Sequence, residues 1–131
     1  MHSDIGKGGV ILASILIIDD DEMVRELLAM RLEMQGHDCK QAGDGAAGLE
    51  RLKEGPLDLI VLDMLMPTMH GLSFLEAAAK APVAMPPVLV LSATKVETET
   101  FPKNLGQIEV LRKPASAARI EESIKAILEA H

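Results

Sequence analysis

Five polar residues, Asp19, Asp20, Asp63, Ser92 and Lys113, each stand at or just past the end of an apolar run. If the chain brings them together, the first problem is charge: carboxylates about 4 Å apart repel by roughly 4 kcal/mol per pair at an effective dielectric near 20. A divalent cation removes that cost. The donors are hard oxygens, and His37 and Cys39 are only two apart without further soft partners, so Mg2+ or Mn2+ is favoured over Zn2+. Such an ion suits a phosphoryl substrate, with a lysine and a hydroxyl to hold the remaining oxygens and one carboxylate as nucleophile. Taken singly, each residue also has a plainer role: the aspartates as helix caps or turn residues, Ser92 as a cap, Lys113 as a solvated lysine. Their joint placement is what argues for chemistry.

The elements that would position them alternate regularly. SILIID (Ser14 to Asp19) is a short apolar run of the kind a parallel strand covered on both faces requires. A helix follows, capped by Asp20 or Asp21 and stopped by Gly36, with Val24, Leu27, Leu28, Arg31, Leu32 and Met34 at approximate helical spacing. Further strands are expected near Cys39 to Ala42, in LDLIVLD, in VLVLS (Val88 to Ser92) and in IEVLRK (Ile108 to Lys113). Helices are expected near Gly45 to Lys53, near Leu72 to Lys80, and from about Ala115 to Ala130 with Pro114 in its first turn. Between Ala93 and Gln107, Pro102 limits any fourth helix to a short stretch near Val96 to Phe101. Strands alternating with helices predict an α/β parallel sheet, which binds its ligand at the carboxyl ends of the strands. All five polar residues fall there.

Composition bounds the alternatives. The 131 residues fit one domain, and a formal charge of -7 leaves no basic stripe for nucleic acid or anionic lipid. The longest early apolar stretch, Val10 to Ile18, is about half the roughly 20 residues a membrane span needs. A lone Cys39 rules out an intrachain disulfide and suits a reducing cytoplasm. Residues 1–12, with three glycines, read as a flexible leader or a vector-derived remnant, and residues 13–131 as the domain.

The segments ILIIDDDEMVRELL, LIVLDMLMPTMHGLSFL, VLVLSA and LRKPAS resemble the successive signatures of the receiver domain of two-component response regulators, the CheY-like family. The likeness covers nearly the whole chain from about Ala13, and the pattern from Leu62 to Gly71 is its most specific piece. It implies a flavodoxin-like five-stranded sheet of order 2-1-3-4-5 with helices on both faces and a short or irregular fourth helix. It implies Asp63 as phosphoacceptor, Mg2+ (or Mn2+) held by Asp20, Asp63 and the backbone carbonyl of Leu65, with Asp19 acting through water, and Ser92 and Lys113 on the phosphoryl oxygens. The implied partners are a histidine kinase or phosphotransfer protein and a downstream effector, with no direct nucleic acid or membrane contact and at most a weak homodimer. The chain would catalyse only its own phosphorylation and dephosphorylation, as a signalling module without its own DNA-binding output.

Some positions depart from the family pattern. Val110 stands three before Lys113, where an aromatic switch residue is common, and Ala115 follows the Lys-Pro pair where an aromatic is frequent. With Pro102 these predict an atypical output face and a weak conformational response. Leu65 and Thr94 flank the expected path of the attacking water, and apolar Leu65 cannot orient it, which predicts slow autodephosphorylation. Asp21 is expected as a cap, His70 as a loop residue, and Met64, Met66 and Met69 as packing. Two rivals are a phosphorylation-independent interaction domain and a metal-dependent phosphohydrolase, the second weakened because Leu65 stands where a further acid would be needed.

Overall fold

The structure is a computed structural model that describes residues 4–5, 11–64, 71–93 and 101–130. In chain order these form β1 (Asp4–Ile5), β2 (Ile11–Leu12), β3 (Ser14–Ile18), α1 (Glu22–Met34), β4 (Asp38–Ala42), α2 (Gly45–Lys53), β5 (Leu59–Asp63), α3 (Gly71–Lys80), β6 (Val88–Ser92), β7 (Ile108–Arg112) and α4 (Ala117–Glu129). The main sheet runs β4-β3-β5-β6-β7, all parallel, which is 2-1-3-4-5 when its own strands are counted in order. Within the segment expected as a leader, β1 and β2 pair antiparallel.

Strand side chains alternate between the two faces of a sheet, and the core divides accordingly. Ile15, Ile17, Leu59, Val61, Leu89 and Leu91 pack with Leu28, Leu32, Ile124 and Leu128 of α1 and α4. Leu16, Ile18, Ile60, Leu62, Val88 and Val90 pack on the other face with Leu52, Phe74, Leu75 and Phe101. Both faces of the central strands are therefore dry, which is why those strands read as unbroken apolar runs rather than alternating ones.

Local readings are settled in some places and corrected in others. The cap of α1 is Asp21, whose side chain accepts from the Val24 N–H, and Gly36 follows the helix at φ +103, the left-handed conformation glycine tolerates. The buried face of α1 is Leu28, Ala29 and Leu32; Val24, Leu27 and Met34 are exposed instead. Pro114 lies before α4 rather than in its first turn, because Ser116 in extended conformation is the cap and accepts from the Arg119 N–H. The Lys113–Pro114 bond is cis. Residues 101–107 contain no helix, and the rest of the expected fourth helix lies outside the described residues. Val110 pairs with Val90 in the sheet and packs, partly buried, on the α2/α3-side core.

Candidate functional site: an acidic pocket at the carboxyl edge of the sheet

Sheet register builds the pocket. β3 and β5 pair Ile18 with Leu62, so the next residue on each strand, Asp19 and Asp63, leaves the sheet side by side. Both continue the alternation of Ile17 and Val61 and so share the face covered by α1 and α4, as does Lys113, two past Leu111. Backbone bonds extend the ladders past the strand ends: Asp19 N–H donates to Ala42 O (3.1 Å), Met64 N–H to Leu91 O (3.1 Å) and Lys113 N–H to Ser92 O (2.8 Å). The last of these holds Lys113 beside the end of β6.

The carboxylates of Asp19, Asp20 and Asp63 each place an oxygen within 4.8 Å of the others; Asp19 and Asp63 are buried and Asp20 is exposed. Lys113 Nζ donates to Asp63 Oδ1 at 3.1 Å. Ser92 is buried at the end of the neighbouring strand β6. Burial raises the Asp19 carboxyl above its ordinary range, and the charges of Asp63 and Asp20 raise it further, against a hydrogen bond from Asp21 N–H (2.9 Å) and the nearby Lys113. Three carboxylates converging on one point, with Asp19 resisting ionisation, are what a hard divalent cation would relieve, so the residues present fit such an ion. The soft-metal alternative stays poor: burial pushes the Cys39 thiol up to about 12, and His37 spends Nδ1 accepting from Ala13 N–H (3.1 Å).

One contributor, Arg25, escaped the sequence reading, and a second, Gly71, was legible there only as the end of the Leu62 to Gly71 pattern. Arg25 Nη1 donates to Asp19 O (2.8 Å) while its Nε donates to Gln41 Oε1 (3.0 Å), tying the end of β3 to α1 and β4. Arg25 stands three before Leu28 and four before Ala29, on the line of the face that α1 buries, and a charged residue on that line was the available signal. Gly71 opens α3 in close contact with the end of β5: a Cβ there would lie 2.5 Å from Met64 Sδ and 2.8 Å from Met64 Cα. Leu65, Met66, Met69, His70 and Thr94 lie outside the described residues.

The model of the response regulator receiver domain matches residues 15–125. The chain is 34% identical over 118 residues to the alkaline phosphatase synthesis transcriptional regulatory protein PhoP of Bacillus subtilis, covering 87% of this chain and 48% of that protein. It is 36% identical over 117 residues to response regulator RR06 of Streptococcus pneumoniae serotype 2, covering 88% and 52%. This chain thus spans about half the length of these curated relatives. Among solved structures, it is similar to a receiver domain protein from Methanospirillum hungatei (TM-score 0.78, 27% identity, 91% of this chain and 95% of that one). It is also similar to chemotaxis protein CheY4 of Vibrio cholerae (TM-score 0.77, 26% identity, 89% and 99%). With its sheet order, its paired acids at the β3 edge and Asp63 facing Lys113, the chain belongs to the receiver domains of two-component response regulators.

Proposed function

We propose that Asp63 accepts a phosphoryl group from the phosphohistidine of a histidine kinase or phosphotransfer protein, and that the phosphorylated chain signals in the cytoplasm through a protein effector. The observation that carries this is the convergence of three carboxylates on a pocket in which Asp63 is buried and paired with Lys113. In the transfer a carboxylate oxygen of Asp63 attacks phosphorus, an O–P bond forms as the donor's N–P bond breaks, and the electron pair returns to the imidazole nitrogen. Lys113 holds Asp63 Oδ1 in place before transfer and presents a fixed positive charge to the oxygens of the arriving group. Ser92, buried at the end of β6, would donate its hydroxyl to another of those oxygens. Arg25 holds the Asp19 backbone, and with it the acidic wall of the pocket. Mg2+, or Mn2+, bound by Asp20 and Asp63 with Asp19 through water and the Leu65 carbonyl, would supply charge neutralisation of the phosphoryl oxygens. Beyond its own phosphorylation and dephosphorylation the chain has no catalytic role in this reading.

Incubation with acetyl phosphate and Mg2+, read by intact mass, tests it. A Mg2+-dependent phosphate adduct on the wild type that is lost in Asp63→Asn is expected. Absence of any adduct would instead favour a phosphorylation-independent interaction domain, and rapid turnover of the donor a hydrolase.

A further inference from the structure

Helix α1 carries a second apolar stripe, opposite the one that meets the sheet. Met23, Leu27, Met30 and Met34 are 72%, 54%, 56% and 82% exposed, whereas Leu28, Ala29 and Leu32 are buried. At 3.6 residues per turn, the 4-3-4 spacing of the exposed set keeps it on one line, the seam of a two-helix coiled coil. With Val24, 48% exposed, these residues present on the order of 500 Å2 of contiguous apolar surface, about the largest patch a monomer ordinarily shows. The flanks differ in charge. Glu22, Glu26 and Glu33 line one side of the seam, while Arg31 and Gln35 line the other and both bond Glu121 of α4.

We propose that α1 docks on α1 of a second copy of this chain, parallel about a twofold axis, with Met23, Leu27, Met30 and Met34 as the seam. A heptad line is complementary to itself about such an axis. The parallel sense sets Glu26 of each copy against Arg31 of the other, five residues on, in the pairing that flanks parallel seams; the antiparallel sense sets the acidic flanks against each other. Arg31 uses its Nε on Glu121 and keeps four further N–H donors on a half-exposed side chain for the second contact. Two facing stripes bury roughly 1,000 Å2, the lower edge of specific association, so the dimer is weak and concentration-dependent.

Sedimentation equilibrium of the wild-type chain from micromolar to millimolar concentration, at about 0.15 M salt to screen the net charge, should show monomer passing to dimer. Leu27→Glu, at an exposed position that leaves circular dichroism and thermal stability unchanged, should weaken association roughly tenfold or more. In a Cys39→Ser background, Met23→Cys should form an interchain disulfide with itself on mild oxidation. A monomeric mass throughout the range, or a dimer indifferent to Leu27→Glu, overturns the proposal. A disulfide that appears only when Met23→Cys and Met34→Cys chains are mixed overturns its parallel sense. None of these readouts depends on Asp63, so their outcome is separate from that of the phosphorylation test.

Discussion

Asp19 shows how a single side chain sets the electrostatic cost of the pocket. It is buried, its carboxylate lies near two others, and its affinity for a proton is raised above the ordinary 3.8 chiefly by desolvation. For an acid the sign follows directly: the folded chain binds the proton more tightly than the unfolded one, so stability falls as pH rises from 3.8 through the folded value. At neutral pH the penalty is fully present. Asn at this position keeps an oxygen for the Asp21 N–H and removes the charge. Thermal unfolding of Asp19→Asn at pH 7 with chelator should therefore show a gain of about 1 kcal/mol, a few degrees in Tm, which shrinks when Mg2+ is supplied to both proteins. An unchanged or lower Tm in chelator would contradict this account. The residue types at Asp19, Asp20, Asp63, Ser92 and Lys113 were legible as a set, since their charge and their place after apolar runs are properties of the chain itself. Arg25 was not, because its role depends on how far α1 lies from the backbone of Asp19 and the side chain of Gln41.

At the scale of elements, apolar runs and caps did most of the positioning. The strands VLVLS and LDLIVLD were legible because both faces of the central sheet are covered, and α2 by the spacing of Ala46, Ala47, Leu49 and Leu52, although the residues it buries are Gly45, Gly48 and Leu52 behind an Asp44 cap. Helix α1 was harder: it is apolar on two opposite faces, and periodicity alone cannot say which meets the sheet. The start of α4 moved to Ala117 because the Ser116 side chain competes successfully for the cap. The joint between β5 and α3 makes a sharper demand. Gly71 N–H donates to Met64 O (3.0 Å), and the approach is so close that a Cβ meets backbone as well as the methionine sulfur. Gly71→Ala should therefore push α3 away from the end of β5, costing roughly 1–3 kcal/mol as overpacking does, and should slow Mg2+-dependent phosphorylation of Asp63. Denaturant midpoints and the rate of adduct formation check both effects; full retention of both would show that the joint can relax freely.

For the whole molecule, His37 links the sheet edge to pH. It is 6% exposed, accepts from Ala13 N–H through Nδ1, and thus carries its own proton on Nε2. Protonation would place a donor against a donor inside the fold. Burial lowers its proton affinity below 6.5, against an opposing pull from Asp58. Stability from this group is present above 6.5 and is lost as pH falls through the folded value, opposite in sense to Asp19 at lower pH. His37→Asn, which keeps an acceptor but does not titrate, should flatten the decline of Tm just below pH 6.5; an unaltered decline would assign it to other groups. Among the described residues no helix is long and apolar enough to cross a membrane.

What the sequence determined by itself was the α/β class and the inventory of the site, because strand burial, helix periodicity and the residue types after each strand are written locally along the chain; the strand order was implied only by the family resemblance. Only the tertiary structure decided which of those residues meet. The β3/β5 register sets Asp19 beside Asp63, the ladder past β6 brings Lys113 to 3.1 Å from Asp63 Oδ1, and packing on the sheet leaves the Met23 to Met34 line of α1 outside. Each is a contact between segments far apart in the chain, and its geometry depends on how whole faces pack rather than on any local pattern.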